Sequence, residues 1–195
     1  MKDFSGATFC FMGRSGSGKD TQAQLLKEYI EKQGYEIVWI STGDLGRSLK
    51  QQDTVVGRRV KKILDNGDLF SDWLAIGLWF CMIKDNLKKS EVVFFSSSPR
   101  YLKECEAIDE LMNGEYRTLP IPIYLDVNNE EVTKRLLARG RADDTNKVIS
   151  ERLSWFDNQM LPMANYYGKR LVKIDAHGTI EEIHKKVLDA IFNNG

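Results

Sequence analysis

A chain of 195 residues with 42% hydrophobic content can bury one good core but not two, so a single domain (1–195) with small mobile flaps is expected. Basic and acidic residues balance at 28 each, which removes the bulk electrostatic footprint of a protein that wraps nucleic acid or lies on an anionic membrane. Cys10, Cys81 and Cys105 are scattered and odd in number, fitting neither a disulfide framework nor a zinc cluster, and no apolar run approaches the ~18 residues of a membrane span. With no secretory leader and no heptad seam, a cytoplasmic monomer is the expectation.

In chain order, the apolar run Ala7 to Met12 reads as a strand that stops at a glycine-rich turn before the helical pattern Thr21 to Gln33, with Gly34 placed as a C-cap glycine. Glu36 to Ile40 is a second strand. Gly43 to Lys50 and Val55 to Asn66 carry helical spacing, and Ser71 is positioned to N-cap a longer helix through Trp73, Ile76, Phe80 and Ile83. Val92 to Phe95 is a third strand, followed by an amphipathic helix from Tyr101 to Met112. Ile121 to Val127 is a fourth, where Pro120 and Pro122 suggest a sheet edge or an entry bend. Glu130 to Ala138 and Lys147 to Tyr167 are helices, the second with a kink expected near Pro162. Leu171 to Asp175 and Thr179 to Phe192 supply a last strand and helix. Strands alternating with long helices argue for an α/β three-layer sandwich, a five-stranded parallel sheet with helices on both faces, whose ligands gather beyond the carboxyl ends of the strands.

The segment Gly13 to Thr21, GRSGSGKDT, contains GxxxxGK between a strand and a helix, the context a phosphate-binding loop requires and the reason to expect a P-loop NTPase-type fold. Gly13, Gly16 and Gly18, with Ser15 and Ser17 between them, let backbone amides turn toward phosphate oxygens, and Lys19 supplies a mobile cation. Asp20 stands where a serine or threonine usually follows the lysine, and Thr21 comes one place later. Phosphoryl transfer asks for two polyanions held in line, and guanidinium forks suit phosphate, so arginines brought to this loop would be its natural cations.

GRSGSGKDTQ at Gly13–Gln22 resembles the loop of the adenylate kinase family, GxPGxGKGTQ, departing at Ser15 and Asp20. The resemblance continues in order through STGDLGR (Ser41–Arg47), NGDLF (Asn66–Phe70), Pro99–Arg100, RLLARG (Arg135–Gly140), then Arg141, Asp143, Asp144 and Arg152, and DAHGT (Asp175–Thr179). It implies a nucleoside monophosphate kinase that moves the γ-phosphoryl of ATP to AMP to give two ADP. Kinases for GMP, CMP or UMP, or a nucleotide-binding protein weakened in turnover, are the alternatives. Magnesium would arrive with ATP, held by phosphates and water, and the partners would be ATP and a nucleoside monophosphate alone.

By the same resemblance, Lys19, Arg100, Arg139, Arg141 and Arg152 act on the transferred group. Gly13 to Thr21 without Arg14, together with Arg135, His177 and Gly178, would bind ATP. Thr42, Arg47, Gly67, Leu69, Arg100 and Glu104 would bind AMP. Residues 41–70 would form a flap over the monophosphate and 139–146 a short lid. Asp143 and Asp144 would orient arginines, or one would be a helix N-terminal carboxylate; with Ser96 they are the candidates for the water shell of magnesium. Ser96 stands where the family carries aspartate and is equally readable as a polar strand end. Glu104 stands where the family reads adenine with glutamine. A carboxylate accepts from adenine's amine but cannot donate to N1, so it suits guanine or cytosine as well, or it points to solvent. Trp39, Trp73, Trp79 and Trp155 are assigned to packing, and His177 and His184 show no paired carboxylate in the sequence.

Overall fold

The computed structural model describes residues 2–114, 117–140 and 144–193. Its strands are β1 (Thr8–Gly13), β2 (Ile37–Ile40), β3 (Val92–Phe95), β4 (Ile121–Asp126) and β5 (Val172–Asp175), joined in one parallel sheet of order β2-β3-β1-β4-β5. The helices are α1 (Lys19–Glu31), α2 (Thr42–Leu49), α3 (Val55–Asp65), α4 (Asp72–Asn86), α5 (Leu102–Met112), α6 (Asn129–Arg139), α7 (Asn146–Tyr167) and α8 (Ile180–Asn193).

A parallel sheet must be covered on both faces, and β1, buried along its whole length, shows how the sequence meets that demand. Successive side chains point to opposite faces. Phe9 and Phe11 therefore join Leu26 and Ile30 of α1 and Val187 and Ile191 of α8. Cys10 meets Trp79 and Ile83 of α4 and Ile108 and Met112 of α5, while Met12 joins Phe156 and Met163 of α7. Removing each such large side chain from water contributes about 1.5 to 3 kcal/mol. A satellite cluster of Val60, Phe70, Leu74 and Ala75 fastens α2 and α3 to α4.

Several local expectations are corrected. β4 lies between β1 and β5, so its prolines do not mark an edge. Pairing to β5 starts at Ile123, one residue past Pro122, which leaves the proline in the entry position where a missing N–H is tolerated. Ser71 is the N-cap of α4, as expected, but makes no side-chain capping bond, and Pro162 lies inside α7 without ending it. Trp73 is 69% exposed rather than packed. α4 is apolar nearly all round, and its inward stripe of Leu74, Ala75, Trp79 and Ile83 takes the core contacts, leaving Trp73 outside. The three cysteines are free thiols.

Candidate active site

The loop after β1 can lie flat only because of its glycines. Gly13 (φ 151°) would bring a Cβ to 2.5 Å from Ser17 Oγ, and Gly16 (φ 84°) would bring one to 2.9 Å from the Leu136 side chain on α6. Gly18, at φ 91°, is the N-cap of α1 and offers no side chain to the first-turn amides, so those donors and the helix dipole are left for an anion. Arg14, to which the sequence assigns no role, anchors the loop: its guanidinium donates to Tyr124 OH (3.1 Å), Val127 O (3.0 Å) and Asp157 Oδ1 (2.7 Å).

This loop forms one wall of a cavity of about 870 Å³. Gly13, Ser15, Gly16, Ser17, Gly18, Lys19, Asp20 and Thr21 all line it. Arg47 of α2, Ser96 and Arg100 of the β3–α5 turn, Arg135 and Arg139 of α6, and Arg152 of α7 line the other walls, with Leu69 and Gly178. Arg141 and Asp143 lie outside the described residues. The four other arginines proposed to grip phosphate therefore converge, although 105 positions separate Arg47 from Arg152 in the sequence.

Asp144 explains part of that convergence. Its carboxylate, 1% exposed, takes a two-point contact from Arg139 (Nε at 2.9 Å, Nη2 at 2.7 Å) and stands 3.9 Å from Arg152 Nη1. One buried anion so holds two cations of the same wall side by side, offsetting their repulsion. Arg152 also donates to Gly67 O, from Nε at 3.3 Å and Nη2 at 3.2 Å, tying α7 to the NGDLF segment. Gly67 contributes this carbonyl without lining the cavity. Arg135 is held by Glu131 (2.9 Å) and Ala176 O (3.2 Å), and Arg47 pairs with Asp44.

Other expected residues stand behind the wall. Thr42 is buried with its Oγ1 3.4 Å from Ser97 Oγ. Ser96, buried yet lining the cavity, makes a long 3.4 Å bond to Ile40 O. Glu104 does not point to solvent: it is 0% exposed, is not among the lining residues, and its Oε1 accepts from the Arg100 N–H at 3.0 Å. Burial pushes its carboxyl up, against the Arg100 N–H and the polar hydrogens of Ser98 and Trp79. Burial likewise draws Arg100 down from its ordinary value, opposed by the charges of Glu104 and Asp20.

His177 has a carboxylate partner after all: its Nδ1 lies 2.6 Å from Asp175 Oδ1, and its Nε2 lies 3.2 Å from Asn128 Nδ2, the N-cap of α6. The pair spans the end of β5 and the turn after it, two residues apart, where helical spacing rules give no signal. Trp39 and Trp155 pack against Phe94 and Tyr101 while lining the cavity, a double role that composition does not reveal.

The adenylate kinase family model matches residues 11–172, which span the loop, every described arginine of the cavity and three of the five strands in full. The chain belongs to the adenylate kinase family. It is 35% identical over 190 residues to the adenylate kinase of Leptospira biflexa serovar Patoc, covering 93% of this chain and 97% of that protein. It is 35% identical over 183 residues to the adenylate kinase of Mycobacterium leprae (92% and 96% covered) and 32% over 186 residues to that of Corynebacterium aurimucosum (94% and 98%). As a family member it is a phosphotransferase of the nucleoside monophosphate kinase type on a P-loop three-layer sandwich. No helix among the described residues is long and apolar enough to cross a membrane.

Proposed function

We propose that the protein transfers the γ-phosphoryl of ATP directly to AMP, giving two ADP, with no covalent enzyme intermediate. The observation that supports this most is the meeting of the Lys19 loop with Arg100, Arg139 and Arg152 on one cavity. Transfer needs little covalent help from the protein and much positioning of negative charge. The amides of the loop and Lys19 would cradle the β- and γ-phosphates of ATP, with Arg135 against its adenine and His177 and Gly178 beside it. Arg47 and Arg100 would hold the acceptor phosphate, with Thr42, Gly67 and Leu69 around the monophosphate. Arg139 and Arg152, fixed by Asp144, would neutralise the charge that spreads over the equatorial oxygens in transit, as would Arg141. Residues 41–70 would act as a flap over the acceptor and 139–146 as a short lid, excluding the water that would otherwise take the phosphoryl.

Magnesium fits this donor set. Thr21, Ser96 and Asp20 line the cavity, and no group of three or more His, Cys, Asp or Glu stands together among the described residues. That suits a cation that prefers phosphate oxygens and water to a protein cage. When bound it would neutralise charge between the β- and γ-phosphates. Ser96, with its weak 3.4 Å bond, can accept from a metal-bound water; Asp144 is already engaged by two arginines.

A coupled assay with ATP, magnesium and AMP, GMP, CMP or UMP tests the reading. ADP formation led by AMP, and lost by at least about a hundredfold in Arg139→Ala, is the expected result. No ADP from any acceptor, while ATP still raises the melting temperature, would leave a nucleotide-binding protein instead.

A further inference from the structure

Helix α5 turns Cys105, Ile108 and Met112 into the core, and two carboxylates share that buried stripe, Glu104 and Asp109. Asp109 is matched by a cation, Arg170. Glu104 is matched differently. Its Oε1 accepts from the main-chain N–H of Arg100, while Oε2 is buried with no full hydrogen bond among the described residues. Trp79 Nε1 and Ser98 Oγ are buried beside this carboxyl, and their polar hydrogens favour its charged form without meeting full hydrogen-bond geometry. A wholly buried carboxylate is expensive unless it is tied to something, and here the tie is to the residue that carries a cavity guanidinium. Arg100 is meanwhile held at Nε by Ser97 O at 2.9 Å. The arginine is thus fixed at its main chain from beneath and at its guanidinium from the side, leaving the terminal nitrogens for the cavity it lines.

We infer that Glu104 is a positioning residue that sets the Ser98–Arg100 turn so that Arg100 meets the acceptor's phosphate, and that it does not read the acceptor's base. The inference rests on taking the Arg100 side of the cavity as the acceptor-phosphate site. A base reader must present at least one polar atom to the ligand, and Glu104 is wholly buried and does not line the cavity. Its Oε1 is committed to a main-chain amide, and the polar side chains beside its carboxyl include Trp79 and Ser98, which do not line the cavity either. Its influence on every acceptor should therefore be the same, because all nucleoside monophosphates share the phosphate and differ only in the base.

The test compares wild type, Glu104→Gln, Glu104→Leu, Arg100→Ala and the Glu104→Leu/Arg100→Ala double variant, measuring Kd for AMP, GMP, CMP and UMP by calorimetry. Glu104→Leu should weaken all four by one common factor, about ten- to a hundredfold, which is the range for losing a hydrogen bond to a charged group. Glu104→Gln, which keeps the acceptor oxygen, should recover most of that loss and leave the ratios among the four ligands within about threefold. In the Arg100→Ala background the leucine change should cost nothing further. A tenfold change in the AMP-to-GMP ratio in Glu104→Gln, or a full additive loss in the double variant, would overturn the inference. If wild type binds none of the four, the kinase reading fails separately. Hydrogen exchange at the Arg100 amide then decides: protection kept in Glu104→Gln and lost in Glu104→Leu supports the positioning role, and equal protection in both refutes it.

Discussion

On the proposed reading, Asp20 stands beside the place where a polyphosphate would arrive. It lines the cavity from the first turn of α1, directly after Lys19, and its charge is felt by Arg100 across the cavity. Two like charges ~4 Å apart repel by about 1 kcal/mol in water and about 4 kcal/mol at the effective dielectric of a protein surface. A divalent cation between them reverses the sign. Binding of ATP should accordingly depend on magnesium more steeply than the phosphates alone would require. We expect Asp20→Asn to tighten metal-free ATP binding by about tenfold while changing the magnesium complex much less. Calorimetric titrations in EDTA and in excess magnesium measure the ratio, and an unchanged ratio would mean that the carboxylate turns away from the phosphates. Asp144 shows the opposite use of the same chemistry: an anion behind the wall that gathers cations in front of it. The pattern of motifs made both aspartates visible, but only the contacts separate a charge facing the ligand from one facing the arginines.

At the scale of elements, one polar side chain adds hydrogen bonds to the apolar packing between the loop helix and the C-terminal helix. Gln22 of α1 donates from Nε2 to Ile180 O at 2.9 Å and presents its Oε1 to His184 Nδ1 of α8 at 3.2 Å. Burial holds His184 below its ordinary pKa of 6.5. The unfolded chain therefore takes up this proton first as pH falls, so the folded state loses stability below about pH 6.5 until its own lower pKa is passed. Melting curves at pH 7.5, 6.5 and 5.5 should show wild type losing more melting temperature than His184→Gln over this span; parallel losses would refute the assignment. The same elements show what a sequence makes legible. β3 is readable to the residue because VVFF is a short apolar run between polar turns, and period and caps place the helix ends to within two residues except at the end of α4, where the apolar spacing stops at Ile83 and the helix runs on to Asn86. The central position of β4 is not, since strand order depends on which helices cover which face, and a proline's local penalty does not encode that. Glu104 offered a signal that its charge obscured: the spacing 104, 108, 112 places it in line with Ile108 and Met112 on the buried stripe of α5.

For the whole molecule, a balanced formal charge of zero coexists with five described arginines and Lys19 on one cavity, a local cluster of cations that the net charge does not reveal. Its walls come from α2, the β3–α5 turn, α6 and α7, and Arg152 already bridges α7 to the carbonyl of Gly67 before the helix α4 segment begins. On the proposed reading, a ligand on the acceptor side would meet groups tied to those that receive the donor. If both flaps close over the pair of nucleotides, each ligand contributes part of the ordering that the other needs. Independent binding at a hundred times Kd would stabilise the fold by about 2.7 kcal/mol per ligand, and the two contributions would simply add. Closure adds a coupling of about 1 to 3 kcal/mol, equivalent to roughly 2–4 °C per kcal/mol in a chain of this size. We therefore expect the melting temperature with AMP and a non-transferable ATP analogue together to exceed the sum of the separate shifts by about 3 °C or more. Strict additivity would mean two sites that share a cavity without sharing a conformational change. In that case the ion pairs of Asp144 and the Arg152–Gly67 contact would be fixed scaffolding, and exclusion of water would have to come from the resting shape of the cavity alone.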